Sequence, residues 1–110
     1  MTRFSSEQHE FLDIIDTQVW QLVDPVTYGG VNQAHAAFFG MSKADLDGKK
    51  IDEIFSLETA QALSDHNSMV FKTGIAARNT KAIQNAKGES RHVAITKTPK
   101  LNSHGKVEYI

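Results

Sequence analysis

A chain of 110 residues with 40% apolar content has the length of one domain and enough apolar surface for a single packed core. Its near-neutral net charge of −1 offers no large field to steer a partner, and its lack of cysteine excludes disulfides, a thiolate nucleophile and any zinc site built on cysteine. No apolar run approaches the roughly twenty residues of a membrane span, and Met1 to Glu7 lacks the apolar core of a secretory signal. A soluble, cytoplasmic piece is therefore expected, with any membrane anchor of a parent protein outside it.

Ser5-Ser6-Glu7-Gln8 offers capping residues, and Phe4, Gln8, Phe11, Leu12 and Ile15 follow at helical spacing. This predicts a short amphipathic helix ending near Asp16-Thr17. Val19-Trp20-Gln21-Leu22-Val23 is β-branched and aromatic and stops at Asp24-Pro25, which predicts a strand. Both of its faces, Val19/Gln21/Val23 and Trp20/Leu22, are largely apolar, so cover is expected on both, the N-terminal helix supplying one side. Thr27 to Val31 predicts a second strand loosened by glycine, and Asn32 then caps a helix through Ala34, Ala37 and Phe38 to Gly40. Ser42 caps Lys43 to Leu46, and Lys50 to Phe55 adds a turn or two. Ser56 opens the longest helix, with Leu57, Ala60, Leu63, Val70 and Phe71 as its apolar side and Gly74 at its end. Strand sequence follows from Ile75 to Gln84, then a hairpin turn at Asn85-Ala86-Lys87-Gly88, then a strand from Arg91 to Leu101. Val93 and Ile95 share one face of that strand, and His92, Ala94, Thr96 and Thr98 the other. A second turn, Asn102 to Lys106, leads into Val107 to Ile110, which reads as a strand cut short.

From Glu7 to Asp24 every charge is acidic, whereas from Lys72 to Lys106 the basic residues face only Glu89. Those basic residues are scattered singly with no aromatic beside them to stack a base, so a solvated sheet face is expected and no nucleic-acid contact. The five histidines, His9, His35, His66, His92 and His104, fall in five elements with no pair at metal-ligand spacing. There is no Gly-x-Ser-x-Gly elbow and no phosphate loop. Neither a catalytic residue nor a metal ligand is predicted.

The order of elements, and several local stretches, resemble the PAS domain family. Asp24-Pro25-Val26-Thr27-Tyr28-Gly29-Gly30-Val31-Asn32, with Ala34 and Phe38-Phe39-Gly40, is similar to that family's second strand and first belt helix. Val70-Phe71-Lys72-Thr73-Gly74 resembles the end of its long helix, and Lys97 to Leu101 with Gly105-Lys106 its fourth strand and the turn beyond. The resemblance covers Val19 to Ile110. It implies an α+β fold in which a five-stranded antiparallel sheet carries a belt of helices on one face and the N-terminal helix on the other. Residues 1–17 form that helix and residues 18–110 the sensory domain, truncated in its last strand.

The same likeness implies a regulatory module, not an enzyme, that binds a small ligand and biases an output domain such as a histidine kinase or a diguanylate cyclase. Val19, Gln21 and Val23 would point into the chamber, leaving Trp20 in the core beneath the N-terminal helix. The implied lining is Val23, Phe38, Ile54, Leu63, Val70, Val93 and Ile95, with Gln21 and His66 as its polar groups. A mostly apolar concavity with few polar anchors suits a small organic molecule. A filled core is the alternative, in a pocketless dimerisation and relay module. Haem-binding relatives take an axial histidine from the long helix, and His66 shares its stripe with Leu63 and Val70. The stripe is loose, however, and His66 stands about one helical turn closer to Gly74 than in haem sensors. Flavin photochemistry needs a cysteine on the third belt helix, where Ile51 to Phe55 has none, and is excluded. A homodimer is expected through the stripe Phe4, Phe11, Leu12 and Ile15 or through the outer sheet face.

Overall fold

Each helix starts where a short polar side chain accepts the first free backbone N–H. In the computed structural model, which describes residues 5–105 and 107–109, Ser5, Asn32, Ser42 and Ser56 each accept from the N–H three residues on. The helices that follow are α1 (Ser6–Asp13), α2 (Gln33–Phe38), α3 (Lys43–Leu46) and α4 (Leu57–Thr73), with a 3-10 turn at Ile51–Glu53. Gly74 closes α4 in the left-handed region, φ 68°, and its N–H returns to the Val70 carbonyl.

Strands β1 (Trp20–Asp24) and β2 (Thr27–Val31) pair antiparallel around a turn in which the Asp24 carboxylate accepts the Val26 N–H. Strands β3 (Ala77–Gln84) and β4 (Ser90–Lys97) form an unbroken ladder, closed by Asn85, whose Oδ1 accepts the N–H groups of Lys87 and Glu89. The strand expected from Arg91 to Leu101 divides at Thr98-Pro99, because proline has no N–H to give a ladder. Its second part, β5 (Lys100–Leu101), pairs with β6 (Val107–Tyr109).

These six strands make three two-stranded ladders among the described residues, where a single five-stranded sheet was expected. A cleft of about 240 Å3, walled by Gln18, Val19, Trp20, Leu22, Thr96, Lys97 and Thr98, lies between the β1–β2 ladder and the end of β4, while β6 lies alongside β1. The core lies between β1, β2 and the helices, centred on Leu22, Tyr28, Val31, Ala36, Leu46 and Ile51.

Helix α1 does not provide the apolar cover expected of it: none of its residues is buried. It is tied instead to the start of α2. Asp13 accepts the Gln33 N–H at 2.8 Å and pairs with Lys43 at 2.6 Å, while Asn32 reaches the Leu12 carbonyl at 3.1 Å. The Lys43 hydrogen bond is the main reason the Asp13 carboxyl titrates below its usual range.

Candidate ligand-binding chamber

Leu22 stands opposite Tyr28 in the β1–β2 ladder, so the two share a face, and Trp20 joins them. That face looks onto α2 and α4. The other face is set by glycine. A Cβ at Gly29 would lie 2.5 Å from Gln21 Oε1 and 3.1 Å from Val23, so the bare backbone of β2 is what gives Gln21 and Val23 their room. Gln21 is buried there, its Oε1 accepting the Gly30 N–H at 3.3 Å. The strand is thus turned over relative to the sequence expectation: Trp20 enters the chamber, and Gln21 and Val23 do not line it.

The chamber measures about 270 Å3. Four rings run along its wall. Trp20 stacks on His35 with centroids 4.5 Å apart, His35 meets the edge of Phe39 at 5.1 Å, and Phe39 meets Phe55 at 5.4 Å. Of the residues expected to line it, Phe38, Leu63, Val93 and Ile95 do so. Val70 is buried outside it, and Ile54 is half-buried beside Phe55, lining a neighbouring cleft.

Three polar groups that pattern reading missed stand in this wall. His35 is 3% exposed and lies between Tyr28, whose hydroxyl is 3.0 Å from Nε2, and Gln18, whose Oε1 is 2.9 Å from Nδ1. An amide oxygen only accepts, so Nδ1 carries the proton and Nε2 accepts from Tyr28. Burial pushes the His35 pKa down to about 3 and raises that of Tyr28, so both are neutral. His35, Phe38 and Phe39 stand at i, i+3 and i+4, which is the signal that would have placed this histidine.

Asn67 takes the place expected of His66. Residues 60, 63, 67 and 70 follow a 3-4-3 spacing, so Asn67 lies in the buried stripe of α4 and His66 to its side. Asn67 Nδ2 donates to the Pro25 carbonyl at 2.9 Å, while its Oδ1 is buried without a partner among the described residues. Lys97 is the third group. It continues the inward alternation of Val93 and Ile95 and is 6% exposed. Its Nζ lies 2.7 Å from His66 Nδ1; an ammonium only donates, so Nδ1 accepts and the His66 proton sits on Nε2. Burial, then the charge of Lys81, lowers the Lys97 pKa to about 8. Burial and then Lys97 lower that of half-buried His66. A haem does not fit these residues. His66 is outside the lining and engaged by Lys97, and the chamber's 270 Å3 or so lies below the range that holds drug-sized molecules, let alone a macrocycle.

Among the described residues no group of three His, Asp or Glu side chains could hold a metal ion, and no helix is long and apolar enough to cross a membrane. No curated protein matches the chain. Solved structures do. VqmA of Vibrio cholerae, a LuxR-type receptor captured as a dimer without its target DNA, superposes with a TM-score of 0.79 at 21% identity, over 96% of this chain and 49% of its own. The PAS domain of Bordetella pertussis BvgS gives 0.77 at 17% identity, over 94% of this chain and 78% of its own. A domain of an HTR-like protein from Haloarcula marismortui gives 0.67 at 21% identity, over 86% and 91%. This chain spans about half the length of VqmA, and at these identities the likeness is one of fold. The sequence pattern of the PAS domain family matches residues 28–110. With an α+β frame folded around an aromatic-walled chamber, the chain belongs to the PAS domain family, whose members are sensory and regulatory modules.

Proposed function

We propose that this domain senses a small planar molecule held in the chamber and transmits its occupancy to an output domain of a longer protein. The observation that carries this reading is the line of rings from Trp20 through His35 and Phe39 to Phe55 along a cavity of about 270 Å3. An engineered apolar cavity of about 150 Å3 accepts benzene, so this one has room for one or two rings. VqmA, which shares the fold, has been solved bound to DPO and in a ligand–DNA complex. A ligand moves the output only by binding one arrangement of the domain better than another. In the same proposal the ladders belong to one five-stranded sheet, in which β6 runs beside β1 and β4 and β5 are one strand broken at Pro99. Residues 1–17, which carry α1, act as a connector to the domain of residues 18–110, in a cytoplasmic parent such as a histidine kinase or diguanylate cyclase, and any DNA contact falls outside this domain.

Thermal unfolding against small aromatic metabolites tests the reading. A ligand present at a hundred times its Kd stabilises by about 2.7 kcal/mol, a rise in Tm on the order of 10 °C or more for a domain of this size. An unchanged Tm across the set would show the filled core of a pocketless relay.

A dimer is favoured by one further observation. On α1 and its C-cap, Phe11 is 64% and Ile14 78% exposed, an apolar edge left uncovered among the described residues. Light scattering should give a dimer that reverts to a monomer when residues 1–17 are removed. The same mass with and without them would rule out this helix as the dimer contact.

A further inference from the structure

Two residues of the chamber wall carry polar groups whose needs the described residues leave open, and they ask for opposite things. Asn67 is 2% exposed, and the bond from Nδ2 to the Pro25 carbonyl fixes which end of the amide is oxygen. Its Oδ1 is then a buried acceptor without a donor among the described residues, a state that strongly favours any partner bringing an N–H or O–H. Lys97 has the opposite need. It is a buried cation whose hydrogen bond goes to a neutral imidazole, with Lys81 adding like charge, and among the described residues no carboxylate pairs with it. An anion placed there would neutralise it where solvent screens little. The same wall carries Trp20, His35, Phe39 and Phe55, which pack on one another and give it an aromatic lining suited to a flat ring.

Building on the ligand-binding reading above, we infer that the chamber selects a hydroxylated aromatic carboxylate, its ring along the Trp20, His35 and Phe55 wall, its carboxylate on Lys97 and its hydroxyl donated to Asn67 Oδ1. An uncharged aromatic would fill the same volume but leave Lys97 uncompensated. An aliphatic acid would answer Lys97 and forgo the rings. The depressed pKa of Lys97 agrees with this assignment, because it marks a cation that burial makes costly to hold.

The test is calorimetric titration of the unmodified chain with 3- and 4-hydroxybenzoate, benzoate and 4-hydroxybenzyl alcohol, and of a Lys97→Met variant with the same four. One hydroxybenzoate should bind best. Replacing its carboxylate by the alcohol should weaken binding about tenfold or more, and removing its hydroxyl about fivefold. In the Lys97→Met variant the preference for the acid over the alcohol should vanish while the alcohol still binds, which separates loss of the charge from loss of the fold. Equal binding of alcohol and acid to the unmodified chain would overturn the ligand class and leave the chamber reading standing. Binding of none of the four would overturn this inference, and with a flat thermal-shift screen the chamber reading as well.

Discussion

Replacing Asn32 by alanine should lower the stability of the domain by about 3 kcal/mol, a large part of the roughly 5–15 kcal/mol a domain of this kind possesses. Asn32 is fully buried and every polar atom of its side chain is used. Oδ1 accepts the His35 N–H, capping α2, and the Val19 N–H at the entry to β1, each at 3.0 Å. Nδ2 donates to the carbonyls of Leu12 and Thr17. One residue therefore holds the end of α1, the link to β1 and the start of α2 together. Loss of a cap alone costs about 1 kcal/mol, and each part-buried group left unpartnered adds to it. Asn32→Asp keeps the two accepting bonds but sets a buried carboxylate oxygen against the Leu12 and Thr17 carbonyls, so it should cost at least as much as alanine. Urea unfolding checks both, and a loss under about 0.5 kcal/mol for alanine would contradict the role given to Asn32.

The second large effect is one of pH. His35 is neutral in the folded chain, its pKa held near 3 by burial, whereas an unfolded chain titrates near 6.5. Below pH 6.5 the unfolded chain takes up a proton that the folded chain refuses, so the stabilisation is complete above that pH and falls as the solution is acidified. The slope approaches about 1.4 kcal/mol per pH unit, giving a loss of about 2.7 kcal/mol by pH 4.5. Half-buried His66 adds a smaller loss of the same sign. Asp13 enters only as the pH nears the carboxylate range, and Lys97 acts above pH 8. His35→Gln keeps an amide partner for the Tyr28 hydroxyl and removes the titration. Urea unfolding at pH 7 and pH 4.5 should show the variant losing far less than wild type, and equal losses would place the acid sensitivity elsewhere.

The parts of the fold that could be read in advance are those whose cause is local. A serine or asparagine before a helix, a glycine after it and a hairpin turn at Asn85 act within a few residues, and all stand where the chain pattern predicts. The chamber was harder because its causes lie apart in sequence. Which face of β1 looks inward depends on Gly29 in the next strand making room for Gln21, and alternation within β1 cannot reveal that. Lys97 and Asn67 were concealed by their residue types. Each stands on an inward-facing position that the spacing of its apolar neighbours marks, but a lysine in a strand and an asparagine in a helix ordinarily face water. Residues that break local expectation in this way are the ones on which the inferred ligand class rests.

The central proposal, that the chamber is a ligand site and not a filled core, is tested most directly by electron density in crystals grown with the hydroxybenzoates. A flat ring against Trp20 and His35, with an oxygen within hydrogen-bond distance of Lys97 Nζ, is the expected result. A chamber closed over by Phe38, Phe39 and Phe55, with no density between them and Lys97 turned out to solvent, would contradict it.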